Sequence, residues 1–232
     1  MTETELERAR GAYAARAAVD HPYRWDNPGY VAYVQRLERD LLRALADAGV
    51  ALAGARVLEV GCGTGYFLER LREFGAGEAH GIDLMEDRIA QGRERYPALR
   101  LQVGNAAELP FADGEFDLVT QFTCLSSIVD SEVRAAAARE MARVARPGGW
   151  VLSCDFRRVR PLGRRRPVTT QTVPLGEGEL ERLFGRPVLL RRVAMRFELA
   201  QLAGRHELLA AAVAALPPLR SHLLGIWRVS GQ

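Results

Sequence analysis

The chain has 232 residues, of which 48% are hydrophobic and 26% are charged, and its formal net charge is +3. This length suits one α/β domain with a large core better than two domains, and the composition excludes a largely disordered chain. The small net charge argues against nucleic acid as the main partner, and no apolar run approaches the roughly 20 residues that a membrane-spanning helix needs.

Two helices are predicted ahead of the first strand. Residues 3–19 are polar and rich in alanine, whereas residues 30–48 carry apolar side chains on one stripe, at the spacing of a helix that packs on a core. Aromatic residues cluster around the break between these helices: Tyr13, Tyr23, Trp25 and Tyr30. One interpretation is that they fix the second helix to the sheet.

Three glycines at alternate positions follow the first predicted strand. Residues 56–60 are an apolar run typical of a buried strand, and Gly61, Gly63 and Gly65 come directly after it. Glycine permits positive φ and lets a ligand lie against bare backbone, so this turn predicts a site for a nucleotide-like cofactor. A dinucleotide-binding turn would place its third glycine one residue later, where this chain has Tyr66.

Further elements follow at the spacing of βαβ units. Residues 80–84 predict a second strand that ends near Asp83, and residues 85–96 predict a helix. A loop at 104–111, a fourth strand at 115–121 and a turn at 144–152 into a fifth strand come next.

In this order the signals resemble the class I S-adenosylmethionine-dependent methyltransferases, over roughly residues 55 to 156. The resemblance implies a Rossmann-like α/β fold: a seven-stranded, mostly parallel sheet with a C-terminal antiparallel hairpin and helices on both faces. It also implies that S-adenosylmethionine is the cofactor and S-adenosylhomocysteine its product. The chain is then one methyltransferase domain over 1–232, with a helical cap (1–50), a cofactor-binding core (51–156) and a C-terminal half-sheet (157–232).

The resemblance also implies roles for individual residues. Glu59 would lie near the ammonium group of the cofactor, Asp83 would accept hydrogen bonds from both ribose hydroxyls, and the loop at Asn105 would hold the adenine. The full predicted cofactor set is Glu59, Gly61, Cys62, Gly63, Gly65, Asp83, Leu84, Asn105, Ala106 and Gln121.

Two of these residues have a structural alternative. Many relatives carry Asp at the position of Asn105, and although an amide oxygen can still accept a hydrogen bond, Asn105 is also an ordinary turn residue. Asp83 would serve equally as the N-cap of the helix that follows it.

Candidates for the acceptor side lie at the carboxyl ends of strands four and five, the edge where open α/β sheets place their ligands. The resemblance implies in addition that the N-terminal aromatic residues form a lid over the cofactor and the acceptor pocket, an alternative on a par with their packing role. The predicted substrate-facing residues are therefore Tyr13, Tyr23 and Trp25 of this lid, with Thr123 and Ser126 at the end of strand four. A hydroxyl acceptor needs a general base, and Asp155 and His206 are the predicted catalytic residues. Asp155 alternatively pairs with the arginines after it, His206 alternatively begins a helix, and His222 is expected to be structural.

Six arginines occupy residues 157–166, in a segment that its prolines and glycine predict to be a loop. Three interpretations are open for these arginines. They contact the phosphates of a nucleic acid, they bind an anionic small acceptor, or they pair with nearby acidic side chains in a solvated loop. Beyond this run, helices are predicted over 177–184 and 207–216, and strands over 187–196 and 222–229.

Metal-dependent methylation would need an acidic cluster that the region of strands four and five lacks, so no metal is expected. The three cysteines lie in or beside predicted core strands and suit a reducing cytoplasm. The expected function is methylation of a small molecule, with O-methylation of a natural-product or glycan-related acceptor first. The alternatives are N- or C-methylation, an RNA methyltransferase, and a non-catalytic cofactor-binding module. A membrane partner is not expected, nucleic acid is disfavoured, and a homodimer is left open.

Overall fold

Seven strands form one sheet in the order β3-β2-β1-β4-β5-β7-β6. The computed structural model describes residues 25–158, 172–203 and 216–230, together with positions 7, 11, 206 and 212. Tyr13, Tyr23 and residues 159–171 lie outside the described residues. The helix predicted over 3–19 also lies outside them except for positions 7 and 11, and so does the helix predicted over 207–216 except for positions 212 and 216. The strands are β1 (Arg56–Val60), β2 (Glu78–Asp83), β3 (Arg100–Val103), β4 (Phe116–Phe122), β5 (Ala145–Phe156), β6 (Leu189–Met195) and β7 (Arg220–Arg228).

Helices cover both faces of this sheet. Those of the described residues are α1 (Pro28–Ala48), α2 (Tyr66–Glu73), α3 (Glu86–Arg95), α4 (Ser131–Val144), α5 (Glu177–Phe184) and α6 (Phe197–Ala203). Leu41 of α1 and Leu68 of α2 join the core on the face that includes Val57. Met141 of α4 joins the core on the opposite face, with Val119.

The strand directions confirm the predicted fold class. Strands β1 to β5 pair in parallel, whereas β7 runs antiparallel between β5 and β6. The C-terminal hairpin predicted from the sequence is therefore present, with the last strand inserted beside the fifth. Because the parallel strands share a direction, their carboxyl ends meet at one edge of the sheet, which is called the ligand edge below.

Helix α1 has strong local signals at both ends. Asn27 accepts a hydrogen bond from the Gly29 N–H at 3.0 Å, Pro28 occupies the first helical position, and Gly49 ends the helix at φ 75°. The helix thus begins two residues before the predicted Tyr30 and ends at the predicted Ala48.

Helix α6 was not predicted, and it explains one glycine of α1. A Cβ atom at Gly29 would lie 2.7 Å from Cα of Gln201, so the two helices approach there more closely than a larger residue permits. The Asn27 side chain also donates to Gln201 at 3.0 Å. Seven residues are too few to show a helical apolar period clearly, which is why the sequence pattern did not reveal this helix.

Candidate cofactor-binding and acceptor site

The turn after β1 is built from left-handed backbone. Gly61, Gly63 and Gly65 have φ values of 71°, 56° and 86°, a region that side chains other than glycine rarely adopt. The N–H groups of Gly61 and Cys62 both donate to the Ile82 carbonyl, at 2.8 and 3.0 Å. The turn is therefore fixed against the end of β2, at the ligand edge.

Close neighbours reinforce the need for glycine in this turn. A Cβ atom at Gly61 would lie 2.6 Å from Cβ of Cys124, and one at Gly65 would lie 2.7 Å from a methyl carbon of Leu99. At Gly63 the nearest atom would be an Arg88 guanidinium nitrogen, at 3.2 Å. A side chain would thus clash at Gly61 and Gly65, whereas at Gly63 it is the positive φ that favours glycine.

Asp83 connects this turn to the second strand. Its Oδ2 accepts from the Gly63 N–H at 2.8 Å, and its Oδ1 accepts from the Met85 N–H at 2.9 Å. The second contact closes a turn just before α3, whose N-cap is Met85 without a side-chain capping bond, so the N-cap alternative for Asp83 was wrong. The first places the carboxylate at the glycine turn, as the cofactor role requires, and Leu84 lies beside it, partly exposed.

Glu59 is a buried carboxylate with an incomplete set of partners. Its side chain accepts a hydrogen bond from the Leu68 N–H, and burial raises its pKa well above the usual range. Among the residues that the structure describes, Oε2 of Glu59 has no hydrogen-bond partner. A buried, unsatisfied oxygen is costly, and an ammonium group is the kind of donor that would complete it.

Asn105 forms a turn after β3. Its side-chain oxygen accepts from the Ala107 N–H at 3.0 Å, and its carbonyl accepts from the Glu108 N–H at 3.1 Å. The turn alternative for Asn105 is thus realised in the structure. A contact with adenine stays a prediction, for Asn105 and for the partly exposed Ala106 beside it.

A buried network joins the ends of β4 and β5. The Gln121 amide nitrogen donates to Oγ of Ser153 at 2.6 Å and to Asp155, and its oxygen accepts from the Cys124 N–H at 2.9 Å. Asp155 accepts from the Ser126 N–H at 2.9 Å and from the Ser153 hydroxyl at 3.0 Å. Gln121 and Asp155 therefore hold the backbone of the segment that follows β4, residues 123–127.

Both oxygens of Asp155 are engaged in this network, and the residue is 0% exposed. Burial raises its pKa, opposed by hydrogen bonds to Ser126, Gln121 and Ser153. Gln121 and Ser126, predicted to face cofactor and acceptor, are also fully buried. The catalytic role of Asp155 stays a prediction. The geometry shows that its carboxylate holds the Ser126 N–H and the Ser153 hydroxyl.

Thr123 adopts a strained conformation at the end of β4. Its φ of 58° is unusual for a β-branched residue, and such backbone costs about 1–3 kcal/mol. The Thr123 N–H donates to the Cys154 carbonyl at 2.8 Å, and its own carbonyl accepts from the Ser127 hydroxyl at 2.8 Å. The segment that turns away from β4 at the ligand edge is thus held in one conformation.

Aromatic rings lie over the start of α2. The Trp25 ring is 5.0 Å from the Tyr66 ring and 5.2 Å from the Tyr30 ring, and Trp25 remains 44% exposed. Below them Phe67 stacks on Phe122 with 4.4 Å between ring centroids. Trp25 therefore contacts the residue that follows the last turn glycine, as expected for a lid and for a packing contact alike.

The remaining predicted residues are less informative. His206 is exposed and lies outside the helices and strands, and its catalytic role stays a prediction. Of the arginine run, Arg157 donates to the Arg220 carbonyl at 2.7 Å, and Arg158 lines an open cleft of about 400 Å³ with Glu179 and Arg182.

One pair at the ligand edge was missed by the sequence analysis. The hydroxyl oxygen of Tyr33 in α1 lies 3.3 Å from Nε2 of His222. His222, which was expected to be structural, is fully buried. Tyr33 precedes the buried Leu37 by four residues, so the apolar stripe of this helix could have placed it on the sheet-facing side.

Among the described residues, no group of three or more His, Cys, Asp or Glu side chains is placed to hold a metal ion. Within the same ranges, no helix has the length and apolar character needed to cross a membrane.

Residues 57–149 match a family of known proteins described as "Methyltransferase domain". The chain is 37% identical over 120 residues to a demethylmenaquinone methyltransferase of Beutenbergia cavernae, covering 52% of this chain and 48% of that protein. It is 36% identical over 134 residues to a probable S-adenosylmethionine-dependent methyltransferase of Mycolicibacterium smegmatis, and this match covers 57% of this chain and 51% of that protein. The chain thus spans about half the length of these curated relatives.

Solved structures share the fold at lower identity. A methyltransferase from Mesorhizobium loti superposes with a TM-score of 0.60 at 18% identity, covering 80% of this chain and 96% of that chain. A [4+2]-cyclase superposes with a TM-score of 0.60 at 23% identity, covering 98% and 94%. These structures show the fold. Over residues 57–149 the chain matches the methyltransferase domain, and this match supports a class I S-adenosylmethionine-dependent methyltransferase.

Proposed function

We propose that this protein transfers the methyl group of S-adenosylmethionine to a small molecule and releases S-adenosylhomocysteine. The observation that carries the proposal is the unsatisfied Oε2 of buried Glu59, beside a glycine turn made of bare backbone. The ammonium group of the methionine part would complete Glu59, and Asp83 would hold the ribose.

S-adenosylmethionine, when bound, supplies a methyl group on a positively charged sulfur, which is a good leaving group. The main contribution of the protein is then orientation, which can lower a barrier by about 7–11 kcal/mol. The fixed conformation of Thr123 and the network beneath it suit this task, because they hold the segment after β4 in place at the ligand edge.

Within this proposal Asp155 is a positioning residue. A general base must reach the proton that it removes, whereas the Asp155 carboxylate is buried and accepts from Ser126, Ser153 and Gln121. Its position supports the account that it fixes the backbone beside the acceptor. Thr123, partly exposed above it, is the better candidate for contact with the acceptor itself.

Oxygen is the first choice for the methylated atom, with nitrogen or carbon as alternatives. Relatives named as demethylmenaquinone methyltransferases support a small-molecule acceptor. The modest net charge disfavours RNA. Natural-product or glycan-related assembly and a cytoplasmic location belong to the same proposal, and a homodimer is left open. The relatives that support a small-molecule acceptor are bacterial proteins.

A non-catalytic cofactor-binding module is the remaining alternative, after N- or C-methylation and an RNA methyltransferase. The test is incubation of the purified protein with S-adenosylmethionine labelled on its methyl group and a metabolite extract of bacterial cells. Mass spectrometry should find S-adenosylhomocysteine and a metabolite carrying the label in equal amounts, and Glu59→Gln should lower both together. Label that stays on the intact cofactor in every extract would contradict methyl transfer.

A further inference from the structure

The loop between β3 and β4, residues 104–115, begins beside the carboxylate that would hold the ribose. The Gly104 N–H donates to the backbone carbonyl of Asp83 at 2.9 Å. Asn105 and Ala106 come next, at the ligand edge. Because adenine and ribose are bonded directly in S-adenosylmethionine, a ribose held by Asp83 brings the adenine to the first residues of this loop.

The other end of the loop is held by two side chains of α4, Glu140 and Arg143, which lie one helical turn apart. Arg143 donates to both carboxylate oxygens of Glu140, from Nε at 2.7 Å and from Nη2 at 2.8 Å. The pair also binds both backbone groups of Leu109. The Leu109 N–H donates to Oε2 of Glu140 at 2.8 Å, and the Leu109 carbonyl accepts from Nη2 of Arg143 at 3.0 Å.

Arg143 uses its whole guanidinium group in these contacts. Its Nη1 donates to the Phe111 carbonyl at 2.9 Å and to Oδ1 of Asp113 at 2.6 Å. With the bonds to Glu140 and Leu109 this makes five, the number of N–H groups that a guanidinium carries. The hydrogen bond from Arg143 lowers the pKa of Glu140, so the pair is ionised at neutral pH.

Three of the bonds from this pair to the loop reach backbone atoms, at Leu109 and Phe111. They fix the path of the main chain, whatever the side chains of the loop are. At its other end, the loop is fixed to β2 through Gly104. Residues 105–108 therefore lie between two anchored ends. A loop that is ordered before a ligand arrives loses less conformational entropy on binding, so this anchoring favours recognition.

We propose that Glu140 and Arg143 are positioning residues for the adenine of the cofactor, which act by fixing the loop after β3. This inference rests on the proposed function, since it concerns the base of the same cofactor. In this account neither side chain touches the adenine. They hold Asn105 and Ala106 where these residues meet the base, so their loss should weaken recognition of adenine more than binding of the rest of the cofactor.

The test is calorimetric titration with S-adenosylhomocysteine and with S-inosylhomocysteine, in which an oxygen replaces the amino group of adenine. The wild type should bind S-adenosylhomocysteine at least about tenfold more tightly, because a site that accepts from the amino group leaves its acceptor unpaired against the oxygen. Arg143→Lys keeps the charge but has three donors and no planar fork, so the ratio of the two affinities should fall about three- to tenfold. A role in overall folding alone would change both affinities alike and leave this ratio unchanged.

Two variants serve as controls. Arg146→Lys is the same substitution three residues further along, where the Arg146 guanidinium donates to Asp117 at 2.6 Å. Asp113→Asn keeps an oxygen that can accept from Arg143. Both controls should keep the wild-type ratio. Glu140→Gln is a second test of the pair, since one amide oxygen replaces the two oxygens that receive Arg143 and the Leu109 N–H, and it should lower the ratio.

A wild type that binds both ligands equally well would overturn this inference alone, as would a wild-type ratio in Arg143→Lys and Glu140→Gln. A wild type that binds neither ligand would overturn the proposed function and this inference together. If neither variant folds, hydrogen exchange of the wild type decides. Saturating S-adenosylhomocysteine should slow exchange of the Leu109 N–H more than saturating S-inosylhomocysteine does, and equal exchange in the two complexes would overturn the inference.

Discussion

The backbone N–H of Gly63 donates to Oδ2 of Asp83 at 2.8 Å, across 20 positions of sequence. This bond joins the glycine turn after β1 to the end of β2, the two elements that the family resemblance assigns to the methionine and ribose parts of one cofactor. The Asp83 carboxylate thus holds the backbone of the glycine turn and lies directly beside it.

Asp83→Asn should lower the affinity for S-adenosylhomocysteine about 10- to 100-fold, because each hydrogen bond to a charged group contributes about 1.5–3 kcal/mol. The remaining amide oxygen can still accept from one of the two backbone N–H groups. Isothermal titration calorimetry measures the change. Asp113→Asn is the matched control, since the Asp113 side chain is 83% exposed, and its affinity should equal that of the wild type. Equal affinities in all three proteins would remove Asp83 from the cofactor site.

Gly61→Ala should lower the free energy of unfolding by about 2–5 kcal/mol, by adding left-handed strain to a clash with Cys124. Gly54→Ala is the control for strain alone, because Gly54 has φ 72° and a Cβ atom there would have no atom within 4 Å. This control should lose about 1–2 kcal/mol. Chemical denaturation gives both values, and equal losses in the two variants would show that Cys124 yields to the added methyl group.

Cofactor binding should release a proton from Glu59. The pKa of this carboxyl is raised by burial, so between the ordinary value of 4.5 and the raised value the folded protein keeps a proton that the unfolded chain loses. The stability of the cofactor-free protein therefore falls as the pH rises through this window. An ammonium group beside Glu59 would favour the ionised form and lower its pKa.

This linkage is measured by calorimetry of S-adenosylhomocysteine binding at one pH in buffers of different ionisation enthalpy. The wild type should show net proton release, and Glu59→Gln should show none and should bind more weakly. The same proton count in both proteins would place the ammonium group away from Glu59.

Asp155→Asn should lower the free energy of unfolding by about 1–3 kcal/mol, the cost of leaving a buried donor unsatisfied. The introduced amide keeps one oxygen and places an NH2 group at the other position, where it would face either the Ser126 N–H or the Gln121 amide, both of which are donors. Turnover should fall, while the affinity for S-adenosylhomocysteine should be kept. Ser153→Ala removes one of the donors to Asp155 and should have a smaller effect on stability.

Stability and turnover of Asp155→Asn together distinguish a positioning role of Asp155 from a general-base role. Lost turnover at wild-type stability, with a changed pH dependence of kcat, would favour the general-base role. Unchanged turnover would exclude both roles.

Trp25→Ala should weaken S-adenosylhomocysteine binding several-fold and change stability by less than about 1 kcal/mol, because the side chain is 44% exposed yet lies over Tyr66. Phe74→Ala, at a residue 38% exposed, is the control and should bind normally. A large loss of stability with unchanged affinity would instead identify Trp25 as a packing contact.

The sequence predicted those parts of the fold that depend on local periodicity and on glycine. The strand at Arg56–Val60 and the helix at Glu177–Phe184 were predicted with the observed bounds, because each is a short apolar pattern that begins or ends at a glycine. The inserted antiparallel strand came from the family resemblance and is confirmed. Helix α6 was missed, since its seven residues form a helix largely through contact with α1.

Side-chain partners were harder to foresee than elements. The sequence placed Asp155 and Gln121 at the ligand edge, but their register, which brings Gln121 opposite Ser153, exists only once β4 and β5 are paired. The Tyr33–His222 contact joins residues 189 positions apart, and no local pattern links them. The role of Glu59 came from the family resemblance and from its place at the end of the first strand, whereas its unsatisfied oxygen follows from the packing around it.

The most direct measurement of the central claim is calorimetric titration of the wild-type protein with S-adenosylmethionine, S-adenosylhomocysteine and NAD. The glycine spacing, Glu59 and Asp83 together predict one site per chain for each of the first two ligands and no binding of NAD. Binding of NAD with no heat from either sulfur-containing ligand would contradict the account.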